Sequence, residues 1–246
     1  MIQFSVDDRF IVSGASSGIG KGISIFLNSL GATVIGIGRD IERLNHLKSV
    51  VKNPNNLHIE AKNLVEDIEL LPRYIKKLKE KYGKFRGLIC SAGIDMPTVL
   101  RIVEYEKSKH VFDINYFVPL FMTKGFANKS IHTENNASVI FIASTAGIYP
   151  DKGQLVYSAT KAAVIAAAKS ISKELSGIGV RVNSIAPAEV DTPMYQRSLN
   201  NIGKDINNYP LGIGSPDDIA SMVAFLLSDK ARWITGQNYI LDGGAF

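Results

Sequence analysis

A chain of 246 residues that is 46% hydrophobic and 21% charged is long enough for one large α/β domain, and its composition excludes a disordered or fibrous protein. The net charge of +5 does not amount to a nucleic-acid surface, because lysines and arginines are scattered among acids, as in Lys76-Lys77-Leu78-Lys79-Glu80-Lys81, and no aromatic ladder goes with them. One cysteine, Cys90, excludes an intramolecular disulfide and suits a cytoplasmic protein; no basic-then-apolar leader is visible and no apolar run reaches the roughly 18 residues of a membrane span, so neither export nor a membrane partner is expected.

Phe10-Ile11-Val12 is an apolar run ending at Ser13-Gly14 and reads as a buried strand. Gly14-Ala15-Ser16-Ser17-Gly18-Ile19-Gly20 follows, then a helical pattern carried by Ile23, Phe26, Leu27 and Leu30 and stopped by Gly31. Between a strand and a helix these glycines have separate uses. Gly14 permits a tight turn, Gly18 lets a phosphate reach the backbone, and Gly20 lets the helix pack closely on the strand, while the N–H groups at the helix start face an anion. The spacing is G-x-x-x-G-x-G, not the commoner G-x-G-x-x-G dinucleotide fingerprint. Residues 32–37 read as strand two, 41–51 as a helix and 57–61 as a short third strand. Residues 65–82 are expected to form a long amphipathic helix with Leu70, Leu71, Ile75 and Leu78 on its apolar face, Pro72 marking where its regular part can begin.

Gly87-Leu88-Ile89-Cys90 reads as strand four, running into the small-residue turn Ser91-Ala92-Gly93. Residues 104–124 are helical in character, kinked or broken at Pro119, with the polar Asn115 inside. Residues 138–144 form the clearest strand, a continuous apolar run suited to the middle of a parallel sheet. Ser144 lies at its C-terminal end, where open α/β sheets bind ligands. A helix starts near Tyr157, and residues 180–185 form strand six. From Glu189 to Pro210 the chain turns polar and aperiodic and is expected to be a substrate loop or lid. Ser215 caps a last helix from Pro216, and residues 238–241 form a final strand. The alternation of strand and helix implies a single domain with one parallel sheet and helices on both faces. His46, His58, His110 and His132 share no metal-ligand spacing, and no metal is expected.

Tyr157 and Lys161 stand one turn apart on one face of an alanine-rich helix. A free tyrosine, with a pKa of about 10, is a poor acid or base at neutral pH. An ammonium held beside it favours the phenolate, lowers that pKa and fits the phenol for proton transfer near neutrality.

Taken in order, Gly14 to Gly20, Ser91-Ala92-Gly93, Asn115, Ser144, Tyr157-x-x-x-Lys161, Asn183-x-x-x-Pro187, Ile234-Thr235-Gly236-Gln237 and Asp242-Gly243-Gly244 resemble the motifs of the short-chain dehydrogenase/reductase family over essentially the whole chain, with Ser144 thirteen positions ahead of Tyr157 as is usual there. The resemblance implies one Rossmann domain over residues 1–246, a doubly wound α/β fold with a seven-stranded parallel sheet, and a nicotinamide cofactor. It also implies hydride transfer between the nicotinamide and a carbonyl or alcohol carbon. Tyr157 would be the general acid and base. Lys161 would lower its pKa and bond the nicotinamide ribose, Ser144 would hydrogen-bond the substrate oxygen, and Asn115 would hold a water linking Lys161 to solvent. Cofactor contacts are implied at Gly14, Ser16, Ser17, Gly18, Ile19, Gly20, Arg39, Asn63, Leu64, Ser91, Ala92, Gly93, Tyr157, Lys161, Pro187, Val190 and Thr192. Family members are commonly dimers or tetramers. The small face of Ala159, Ala162, Ala163, Ala166 and Ala167 would permit close helix approach, so a homo-oligomer, dimer or homotetramer, is expected.

The chain departs from the family pattern at four places. Ser13 stands for a threonine, Ser91 for an asparagine, Asn63 for an aspartate and Ala188 for a glycine, whose Cβ is expected to crowd the nicotinamide or demand another backbone angle. Gly38 takes the place of the aspartate of NAD users and Arg39 that of a basic residue of NADP users. NADP(H) is therefore the expected cofactor, its 2′-phosphate meeting a guanidinium and no carboxylate. The expected substrate walls are Ile94, Asp95, Met96, Ile148, Tyr149, Asp151, Gln154, Pro187, Ala188, Met194 and Tyr195. They leave open a 3-oxoacyl thioester, a sugar ketone or alcohol, and a secondary alcohol of a small metabolite. Two other readings are compatible with the motifs. One is a silent dinucleotide-binding sensor or scaffold, against which the intact set Asn115, Ser144, Tyr157 and Lys161 speaks. The other is a (β/α) barrel, against which the early position of the glycine-rich turn speaks.

Overall fold

Phe10 and Val12 point to one face of the first strand and Ile11 to the other, and all three are fully buried, one face in each of two apolar clusters. That is the period of two of an extended chain, and it appears as an uninterrupted apolar run because both faces of the sheet are covered. The computed structural model describes residues 1–134, 136–202 and 209–246, apart from the side chains of 198–202. Strands β1 (Arg9–Ser13), β2 (Thr33–Gly38), β3 (Leu57–Ala61), β4 (Gly87–Cys90), β5 (Ala137–Ile142), β6 (Val180–Pro187) and β7 (Asn238–Leu241) form one seven-stranded sheet in the order β3-β2-β1-β4-β5-β6-β7, and every pairing is parallel. The helices are α1 (Gly18–Ser29), α2 (Ile41–Val50), α3 (Leu71–Tyr82), α4 (Tyr105–Phe112), α5 (Val118–Phe126), α6 (Leu155–Leu175), α7 (Pro193–Ile202) and α8 (Pro216–Leu227).

Ile23 and Leu27 of α1, Leu44 and Leu47 of α2, and Ile219 and Val223 of α8 close the Phe10 face. Leu71, Ile75 and Leu78 of α3, Met122 and Phe126 of α5, and Val164 of α6 close the Ile11 face. Each such side chain contributes about 1.5–3 kcal/mol by leaving water. Ser215 and Asp218 form a reciprocal capping box at the start of α8, as the sequence predicts for Ser215, and Asp40 caps α2 by accepting from Arg43 N–H at 3.0 Å. The Asn183 side chain ties β6 to the turn before β7, accepting from Gln237 N–H at 3.0 Å and donating to the Ile234 carbonyl at 3.0 Å.

Three expected elements differ. The helix predicted over 65–82 begins at Leu71, because Pro72 fits the first turn, where its missing N–H leaves no bond unmade. The predicted 104–124 helix is two helices joined by a wider π turn, Asp113–Phe117, and Pro119 again sits in a first turn, that of α5. The polar stretch 189–210, expected as loop or lid, carries α7; residues 203–208 of that stretch lie outside the described residues.

Strand order reverses direction at β1, which has β2 on one side and β4 on the other. The chain therefore leaves β1 and β4 toward opposite faces, and their C-terminal turns open a crevice. Gly14 lies on the turn after β1 with φ +72°, and a Cβ there would come within 2.8 Å of Ala92 N on the turn after β4. The two turns are tied together by Ser13, whose hydroxyl accepts from the N–H groups of Ser91 (3.1 Å) and Ala92 (3.2 Å).

Candidate active site

The first turn of α1 opens onto this crevice. Ser17 precedes it in extended conformation without capping it by its side chain, and no acid lies in the turn, so its N–H groups and the positive end of the helix dipole remain for an anion. A Cβ on Gly20 would run into the Gly14 carbonyl, which is why the helix can start directly against the turn. Gly18, at φ +52°, faces the Thr192 methyl from the other side of the crevice.

A cavity of about 130 Å³ adjoins the turn. It collects Gly14, Ser16, Ser17, Arg39, Asn63, Leu64, Ala92 and Gly93 from the expected cofactor set. A Cβ on Gly38 would stand 3.0 Å from both Cβ and Oγ of Ser16, so an aspartate has no room there unless Ser16 moves. Arg39 is exposed and forms no ion pair among the described residues; the acid beside it, Asp40, is paired with Arg43 at 3.1 Å. Asn63 donates its amide to Glu66 at 3.1 Å, which leaves its carbonyl oxygen as an acceptor. The hydroxyls, the guanidinium and the uncovered helix start fit the phosphates of a dinucleotide.

A second cavity of about 430 Å³ lies beyond the C-terminal ends of β5 and β6 and is lined by Ile19, Ser144, Tyr157, Pro187, Val190 and Thr192. The expected walls Asp95, Met96, Tyr149, Asp151, Gln154, Ala188, Met194 and Tyr195 line it too. Two expected walls do not. Ile94 lines the smaller cavity, and Ile148 packs on the core. Ala188 lies outside the left-handed region, which among described non-glycine residues holds Asn136 alone, so its Cβ imposes no backbone strain.

Lys161 and Asn115 are buried behind Gly93. A Cβ there would lie 3.3 Å from Asn115 Oδ1 and 3.6 Å from Lys161 Nζ. Asn115, on the π turn, donates to the Ile94 carbonyl (2.9 Å) and Thr160 Oγ1 (3.1 Å) and accepts from Ile94 N–H (2.9 Å). With these bonds it fixes the turn after β4.

The expected tuning of the tyrosine is not what the geometry gives. Burial pushes the Tyr157 phenol up to about 12; Ser144 works against this and the Asp95 charge adds to it. The Lys161 ammonium lies 5.6 Å from the ring centre and donates to the Ile142 carbonyl at 2.8 Å, and burial pulls it down to about 8. Desolvation is the largest cause of both shifts.

Several residues of the site were not among the expected contacts. Ser13 joins the two turns. Lys62, beside Asn63, is the second cation on the smaller cavity. Tyr209 and Phe246 line the larger one, Phe246 stacked on Tyr149 with ring centres 4.8 Å apart. The hydroxyl closing strand one was a readable signal for Ser13, whereas nothing local marks Tyr209 or Phe246.

Comparison with known proteins agrees with this fold. A family model described as enoyl-(acyl carrier protein) reductase matches residues 14–245. The 3-oxoacyl-(acyl-carrier-protein) reductase FabG of Thermotoga maritima is 33% identical over 247 aligned residues, covering 95% of this chain and 96% of that one. The short-chain dehydrogenase/reductase (glucose/ribitol dehydrogenase) of Brucella melitensis shares the fold over 100% of this chain and 99% of its own, with a TM-score of 0.92 at 24% identity. The 3-ketoacyl-(acyl-carrier-protein) reductase of the same organism, solved in complex with NADH, covers 97% of this chain and 98% of its own, with a TM-score of 0.85 at 26% identity.

Proposed function

The chain belongs to the short-chain dehydrogenase/reductase family, and from that premise we propose that it is an NADP(H)-dependent reductase of a carbonyl group, reversibly a dehydrogenase of the alcohol, with Tyr157 as the group that gives and takes the proton. An oxidoreductase similar to FabG, it takes a nicotinamide dinucleotide. The observation that carries the reading is the phenol of Tyr157 on the wall of the larger cavity beside Ser144, next to the turn that can hold a dinucleotide.

Bound nicotinamide supplies hydride. The turn from Gly14 to Gly20 and the start of α1 hold the pyrophosphate, and Asn63 accepts from the adenine. Ser144 orients the substrate oxygen. Tyr157, protonated at neutral pH, donates to that oxygen as negative charge develops there. Lys161, behind Gly93, holds positive charge near the phenol and the ribose, and Asn115 keeps the Gly93 turn in place.

Preference for NADP(H) rests on Gly38, which keeps a carboxylate out, and on the unpaired Arg39. The likeness to FabG makes a 3-oxoacyl thioester the first substrate to try. A homo-oligomer goes with this reading: of the expected small face on α6, Ala159, Ala162 and Ala166 are exposed and Ala163 and Ala167 half-buried. The test is loss of NADPH absorbance over a panel of thioesters and ketones. Turnover by the wild-type protein and none by Tyr157→Phe supports the assignment; equal turnover by both overturns it.

A further inference from the structure

Asp95 and Asp151 line the cavity that holds Tyr157, and among the described residues no lysine, arginine or histidine lines it. A third acid on the wall, Glu189, is engaged with a partner. Asp95 is half-buried, and its carboxylate makes no hydrogen bond or ion pair among the described residues. The chain that carries it is anchored, because the residue before it is held through both backbone groups by Asn115, at 2.9 Å each. Its charge reaches the reacting end of the cavity, where it acts on the phenol of Tyr157.

An anionic group beside the reacting carbon would therefore share the cavity with a carboxylate that no cation on the described wall pairs, and like charges repel. Unpaired charge of this kind discriminates by rejection. We infer that the site works on carbonyl compounds that are uncharged around the reacting carbon and turns away those with a carboxylate or phosphate there, with Asp95 as the discriminating residue. The inference rests on the reductase reading above. It matches a thioester of a 3-oxo acid, which is neutral next to its ketone, and excludes the free acid.

Ethyl acetoacetate and acetoacetate share one ketone and differ by one charge, so they test this directly with NADPH. The wild-type protein should show kcat/KM at least about tenfold higher for the ester, and Asp95→Asn should narrow that ratio about threefold or more by raising the value for the acid. An acid used as well as the ester by wild type, or a ratio that Asp95→Asn leaves unchanged, overturns the inference. Binding to the Tyr157→Phe protein with NADPH, measured by calorimetry, separates the two readings. Ester bound in preference to acid supports the inference even if wild type reduces neither, an outcome that would fall on the reductase reading alone. Equal binding of acid and ester overturns the inference.

Discussion

The ammonium of Lys161 stands 5.6 Å from the centre of the Tyr157 ring, yet its hydrogen bond goes to the carbonyl of Ile142. Among the described residues no carboxylate pairs with it, and burial brings its pKa from 10.5 to about 8. Between those values the unfolded chain binds more protons than the folded one, so stability rises with pH across that window; below it the cost of the buried charge is fully present. Replacing it by methionine should therefore stabilise the protein near neutral pH, by up to about 3 kcal/mol less the roughly 1 kcal/mol lost with the hydrogen bond to Ile142. Melting curves of wild type and Lys161→Met at about pH 7 and about pH 9.5 check this. The gap should close at the higher pH, and parallel curves would contradict it.

Tyr157 is displaced in the other direction, to about 12, and so is protonated at neutral pH. That suits donation to a developing alkoxide. In the protein without cofactor, the difference in phenolate absorbance between wild type and Tyr157→Phe should show no step below about pH 10. A step near pH 8 would mean that the lysine governs the phenol after all. Tyr157→Phe should lower carbonyl reduction by about 10²–10⁴-fold while leaving NADPH affinity within about twofold. Ser144→Ala should cost less, because it removes a hydrogen bond to the oxygen and leaves the proton donor in place.

The strands were legible because each is covered on both faces and so reads as an apolar run; residues 138–142 are the clearest case. The glycine-rich turn was legible because only small residues can pass between β1 and β4, as the contact of Gly14 with Ala92 requires. What could not be read depends on distant parts of the chain. The hydrogen bond of Lys161 to Ile142 spans 19 positions, and desolvation in the folded chain is the largest cause of both shifts. Phe246 reaches the site only by stacking on Tyr149. Helix α7 hid in a polar stretch, although Thr192 ahead of Pro193 was a usable start signal, and its hydroxyl does accept from Tyr195 N–H at 3.3 Å.

Arg39 forms no ion pair among the described residues, and Asp40 is committed to Arg43 and the cap of α2. Arg39→Ala should raise KM for NADPH about tenfold or more and leave KM for NADH nearly unchanged, as expected for loss of one charge-assisted contact to a phosphate. Gly38→Asp should reverse the preference less cleanly, because its Cβ must first displace Ser16, 3.0 Å away. Cofactor titrations of both variants decide this. Equal effects of Arg39→Ala on the two cofactors would remove the guanidinium from phosphate recognition.

Two glycines at opposite ends of the molecule make a matched pair. A Cβ on Gly20 would meet the Gly14 carbonyl, a backbone atom that cannot rotate aside, so Gly20→Ala must shift α1 away from the turn. Overpacking of this kind costs about 1–3 kcal/mol, and here it should also weaken cofactor binding, because the N–H groups that hold the pyrophosphate move with the helix. Gly177, just after α6, has nothing within 4 Å of a built Cβ and no positive φ. Gly177→Ala should leave cofactor affinity unchanged and stabilise by about 0.4–1 kcal/mol, through the smaller entropy of the unfolded chain. Urea unfolding of both variants, with cofactor titrations alongside, checks the pair. Equal stability losses would mean that glycine is needed at both places for backbone freedom, and that the close approach of α1 to the turn is not what Gly20 provides.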